Sequence, residues 1–190
     1  MSLYDLLLFL HISAAIIWIG SGFLLHLLAW RAERAEDPAA LMAVLRDMGA
    51  LGNTLFVPAS LATFLFGLGM VIVGGWSFSE LWIALGLAGF LATFAIGLFI
   101  LKPRGEAIGE IVARDGRVSE EAVLKGRQLA VIGRIDAVVL FLVVAVMALK
   151  PTVYDVAILV GLAVVLASGI VAAVVSVRSM YSNGIRDRSI

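Results

Sequence analysis

The chain has no cysteine, which excludes disulfides, thiolate metal centres and cysteine nucleophiles together. Histidine is nearly absent as well, with two in 190 residues, His11 and His26. Charge is scarce: 15% of residues are charged, and the 14 Lys/Arg balance the 14 Asp/Glu. A chain without net charge has no global field to draw in nucleic acid, so none is expected as a partner. Met1–Asp5 contains no Lys or Arg. The apolar run after it is far longer than a signal-peptide core of about 7–15 residues, so cleavage is not expected.

What the chain has instead is grease. Hydrophobic residues make up 62% of it and the mean hydropathy is +1.08, against about 45–50% apolar for a soluble domain. One small water-soluble core cannot hide that excess. Five stretches reach the length of about 20 apolar residues that a bilayer crossing needs: roughly Leu3–Trp30, Leu55–Gly75, Leu81–Leu101, Leu129–Leu149 and Tyr154–Val177. Tyr4, Trp30, Trp76, Trp82 and Tyr154 stand near their ends, where lipid headgroups favour amphipathic rings. The expected fold is all-α, a single polytopic bundle of five transmembrane helices.

Between the first two spans, Asp37-Pro38 reads as an N-cap followed by proline at N1. Leu41, Val44, Leu45 and Met48 then recur at helical spacing, which predicts a short amphipathic interfacial helix ended by Gly49 and Gly52. Pro103 is expected to close the third span, Asp115-Gly116 to make a turn, and Ser119 to cap a helix running into the fourth span. The first loop, third loop and C-terminal tail carry 12 of the 14 cations; the N-terminus and second loop carry none, and the fourth loop has only Lys150. By the positive-inside rule the N-terminus is outside and the C-terminus cytoplasmic.

An ionisable group at mid-bilayer costs roughly 2.5–3.5 kcal/mol on insertion scales, so each one needs a reason. His11 and His26 are fifteen residues apart, which is about 22 Å along a helix and about 60° around it. They share a face but not a layer. Arg134 and Asp136 lie near the cytoplasmic end of the fourth span, with Ser60, Thr63 and Thr93 in the same inner half. His26, Arg134 and Asp136 can therefore form one polar layer, in which Asp136 accepts from Arg134 or fixes the His26 tautomer. Equally, Arg134 can snorkel to the headgroups with Asp136 as its counter-ion. For His11 the residues leave two roles open: an imidazole bonded to a neighbouring helix, or a metal ligand, the commonest use of a neutral imidazole. No nucleotide loop and no Ser/His/Asp arrangement is present.

His11-x6-Trp18-x-Gly20-Ser21-Gly22 resembles the first helix of the copper-resistance D-type and HemJ-type membrane proteins of bacteria. "LHISAAIIWIGSGF", "GMVIVGGWSFSELW", "GLFILKPRGEAI" and "GRIDAVVLFLVVAVMALKP" together resemble an uncharacterised bacterial integral-membrane family, over most of the chain. The HemJ-type likeness implies haem b, with His11 as axial metal ligand and Trp18 packed on the macrocycle. His26, Arg134 and Asp136 would then hold a propionate or relay a proton. A lone histidine per layer leaves the second ligand to Met70, Met147, water or the same histidine of a homodimer partner. The resemblance places the protein in the bacterial inner membrane, surrounded by lipid. The competing expectations are a carrier for a small solute or metal ion, and a structural accessory subunit.

Overall fold

A computed structural model of the chain describes residues 1–186. Arg188, one of the C-terminal cations, lies outside the described residues. Among those described there are helices and no strands, and five helical rods are long and apolar enough to cross a membrane.

Helix α1 (Leu3–Arg34) starts at a reciprocal cap. Ser2 Oγ accepts from the Asp5 backbone N–H and the Asp5 carboxylate accepts from the Ser2 N–H, which satisfies two donors that a helix start leaves orphaned. Its buried residues are all alanines, Ala14, Ala29 and Ala32. With no hydrophobic force between helices in lipid, small side chains permit the close approach that dispersion requires.

The next two rods are where the structure departs from the sequence reading. Helix α2 (Pro38–Leu51), capped by Asp37, does not end at Gly49 or Gly52. It continues through a π turn, Gly52–Phe56, into α3 (Val57–Val73), one rod of 36 residues. Gly52 has helical angles (φ −51°, ψ −58°) rather than the left-handed conformation by which a glycine stops a helix. Likewise Pro103 does not close the third span: α4 (Leu81–Ile96) runs through a second π turn, Gly97–Leu101, into α5 (Lys102–Asp115).

Both π turns have one cause, legible in the sequence but missed there. Each lies in a G-x5-P segment, Gly52 to Pro58 and Gly97 to Pro103. A proline inside an α-helix lacks its N–H and its ring strikes the carbonyl four residues back. Here the residue before each proline bonds five residues back instead: the Val57 N–H to Gly52 O, the Lys102 N–H to Gly97 O. The wider turn draws the clashing carbonyl away, and the rod goes on.

Gly116 makes the expected left-handed turn (φ 63°), and Ser119 caps α6 (Glu120–Leu149). Helix α7 (Val156–Arg186) packs on α6. Helix α1 packs on α2, α3 and α6, and α4 packs on α6. The apolar face of α2 that predicted a surface helix is covered by protein: Leu41 and Leu45 share a core with Ala29, Ala32, Ile108 and Leu129. A 36-residue rod is about 54 Å long, more than the about 30 Å of hydrocarbon that a crossing needs. At the opposite end Lys150 Nζ lies 4.9 and 5.0 Å from the Trp76 and Trp82 rings.

Candidate functional site

Each histidine of α1 rests on a glycine of a different helix. A Cβ at Gly67 of α3 would stand 3.0 Å from His11 Cε1, and one at Gly133 of α6 would collide with His26 Cε1. The absent side chains are what seat the rings. His11 Nδ1 is 2.7 Å from the Thr63 carbonyl oxygen, so in that bond Nδ1–H is the donor. This satisfies the role of an imidazole bonded to a neighbouring helix. His26 has no such bond from the described residues; its ring faces a cleft.

The cleft encloses about 760 Å³ between α1, the α2–α3 rod, the α4–α5 rod and α6. That is within the size range of ligand sites, about 300–1,000 Å³. Its level is set by the helix register. His11 faces Gly67, and His26 lies fifteen residues further along α1, as Gly52 lies fifteen back from Gly67. Gly89 faces Val143, and seven residues along each rod bring Ile96, beside Gly97, level with Asp136. The two π turns, His26 and Asp136 thus occupy one layer.

An aromatic column closes the upper end of the cleft. Phe64 and Phe94 each stack with Phe90, at 4.8 and 5.8 Å between centroids, and Trp18 meets Phe90 edge-on at 5.7 Å. These rings bridge α1, α3 and α4, and they stand between His11 and the cleft. At the mouth, Lys102 Nζ donates to Asn53 Oδ1 at 3.5 Å, joining the second π turn to the first. Arg46 and Glu106 also line this part.

Of the five expected site residues, the structure brings Trp18, His26 and Asp136 into the cleft. His11 lies outside it. Arg134, next to the Gly133 seat of His26, does not form the expected pair with Asp136; its guanidinium donates to Glu33 of α1, an acid the sequence reading passed over. A helix turns about 100° per residue, so positions 134 and 136 point to different sides of α6. Asp136 is therefore left without its counter-ion. Its Oδ1 is fully buried and has no hydrogen-bond partner, a condition that costs about 1–3 kcal/mol. The neighbouring hydroxyls do not relieve it: Ser60 and Thr93 both donate to carbonyls of their own helices, Val57 O and Phe90 O, at 3.0 Å.

Among the described residues no group of three His, Cys, Asp or Glu could hold a metal ion. The cleft offers one carboxyl and one imidazole, neither with a hydrogen-bond partner among the described residues, in a mostly apolar hollow.

Comparison with known proteins agrees with this picture at the coarse level. The model of one family, described as "Predicted integral membrane protein (DUF2269)", matches residues 5–151, and the chain belongs to that family. No match was found among curated proteins or among solved structures.

Proposed function

We propose that this integral membrane protein, as a member of that family, is a bacterial inner-membrane binding protein whose cleft takes up a mostly apolar small molecule. The observation that carries the reading is Asp136, which lines the 760 Å³ cleft and whose buried Oδ1 has no hydrogen-bond partner. A folded bundle tolerates such an oxygen when a ligand supplies what the protein withholds.

The topology belongs to the same proposal. The N-terminus is outside; the core of Leu41, Leu45, Ile108 and Leu129 forms a cap at the cytoplasmic surface, with the interfacial helix α2 as one wall. The cations of the first and third loops support this. Cysteines placed at Ser2 and Arg117 test it: a membrane-impermeant maleimide added to intact spheroplasts should label the first and spare the second.

Occupancy of the cleft is tested with an apolar fluorophore, N-phenyl-1-naphthylamine, on protein in nanodiscs. Ser60→Phe and Ala137→Trp each place a ring in the hollow. Binding should fall at least tenfold in both while gel-filtration behaviour is unchanged. Undiminished binding would refute the site.

A second reading, haem b at His11, is favoured by the Nδ1 bond to Thr63 O. A metal-ligating imidazole commonly gives its other N–H to a carbonyl, and this bond leaves Nε2 available. The second axial position would come from a homodimer partner. Purified protein from haem-replete cells would then show a Soret band lost in His11→Ala and kept in His26→Ala.

A further inference from the structure

The shape and polarity of the cleft narrow the ligand further, on the premise that the cleft is a binding site. Asp136 Oδ1 lacks a donor, and the donors around it are committed: Ser60 and Thr93 to their own backbones, Arg134 to Glu33. His26, seated on Gly133 one helical turn from Asp136, brings a second unpartnered polar group to the same layer. A ligand that satisfies both carries a hydrogen-bond donor and, beside it, an atom that can accept from or donate to an imidazole.

Three features of the surroundings constrain the rest. Aromatic side chains, Trp18, Phe94 and Phe141 among them, line the hollow, and flat rings pack on such faces. An ionic ligand head would lose its hydration in so apolar a hollow, which favours a neutral one. Between the aromatic column above and the Asn53–Lys102 bond below, the cleft is framed by α3 and α4, which meet through the Phe64–Phe90 side-chain stack. An apolar chain has room along that length.

We infer that the cleft binds a neutral, hydroxyl-bearing aromatic ring on an apolar tail, a ligand of the alkyl-hydroquinone class. The hydroxyl donates to the Asp136 carboxyl, the His26 ring meets the hydroxyl oxygen, and the ring lies among the apolar side chains that line the hollow. No oxidation or group transfer is part of the inference; it concerns binding alone.

The test uses full-length protein in nanodiscs and three probes of equal tail length: decylhydroquinone, its dimethyl ether and decylammonium. Affinity is read from displacement of N-phenyl-1-naphthylamine. The hydroquinone should bind at least tenfold more tightly than the ether, which keeps shape and loses both donors. In Asp136→Leu the two should bind alike. Should that variant fail to fold, His26→Phe should narrow the preference in the same direction. Equal affinity of hydroquinone and ether in the wild type overturns the inference and leaves the cleft reading standing. Tighter binding of decylammonium than of hydroquinone overturns it in favour of a lipophilic cation. If the fluorophore itself fails to bind, both the inference and the reading it rests on fall.

Discussion

Gly133→Ala is the sharpest probe of the helix packing around the cleft, because two opposed effects have different addresses. The new methyl would collide with His26 Cε1 and stand 3.1 Å from Nδ1 and 3.4 Å from Nε2. Ordinary contact needs the nearest atom to withdraw by about 1 Å, and overpacking of that kind costs roughly 1–3 kcal/mol. Against this, alanine is the better helix former by about 0.5–1 kcal/mol. In the wild-type background the clash wins, and the protein should be destabilised by about 1 kcal/mol. With His26→Ala already present the ring is gone, and the same substitution should stabilise by about 0.5–1 kcal/mol. The difference between backgrounds, roughly 1–3 kcal/mol, is the coupling energy of the contact. Denaturation of the four proteins in detergent, monitored by tryptophan fluorescence, measures it. The same sign in both backgrounds would refute the seating of His26 on Gly133.

Other parts of the chain give three further expected outcomes. Arg134→Met leaves Glu33, whose side chain is only 13% exposed, without its partner; it should cost about 1–3 kcal/mol, and adding Glu33→Met should recover most of the loss in the same denaturation assay. At the α6–α7 turn, Asp155 accepts from the Thr152 N–H and hydroxyl at 2.8 and 2.7 Å, and these bonds hold its carboxyl below the ordinary carboxylate value. A lowered folded pKa gives stability that is present above about pH 4 and disappears as the pH falls through the folded value. Thr152→Val should therefore flatten the melting profile below pH 4 and leave its slope near pH 7 unchanged. His11→Phe keeps a ring against Gly67 but gives up the bond to Thr63 O, so it should cost about 0.5–1.5 kcal/mol in the melt; no change would mean the bond contributes nothing.

The sequence carried the five rods, the Asp37 and Ser119 caps, and the Asp115-Gly116 turn, because apolar period and cap chemistry are local. It also put Ser60, Thr63 and Thr93 in one half of the bundle; Ser60 and Thr93 do line the cleft with His26, whereas the Thr63 carbonyl meets His11. What it could not supply was azimuth between rods. Whether Arg134 reaches Asp136 or Glu33 depends on which side of α6 meets α1, and that is decided by Gly133, whose importance no single-residue rule reveals. The same lack of azimuth hid the separation of His11 from the cleft, which rests on Phe64 and Phe90 arriving from two other helices. The rod breaks expected at Gly52 and Pro103 failed for a different reason: each breaker was weighed alone, whereas glycine and proline six residues apart act together to widen a turn.

That pairing leads to a last consequence. A π turn takes up one residue more than the α turn it replaces, so removing that residue together with the wide turn leaves the flanking helix facing the same way. The orientation of α2 relative to α3 is thus matched to the wide turn at Gly52–Phe56, and a residue lost outside it rotates α2 by about 100°. Deleting the exposed Ala50, with Pro58 and the wide turn kept, should swing Leu41 and Leu45 out of the core they share with Ala29, Ala32, Ile108 and Leu129. Exposing two buried leucines costs about 3–6 kcal/mol, while the seat of His11 on Gly67, beyond the turn, is untouched. Hydrogen exchange should rise across residues 38–51 and 102–115 and stay low across 60–73. Deleting Thr54 and replacing Pro58 by alanine, which removes the extra residue along with the wide turn, should leave both segments protected. Were the Ala50 deletion to protect 38–51 as well as the wild type does, the wide turn would have no part in aiming this rod at the cleft.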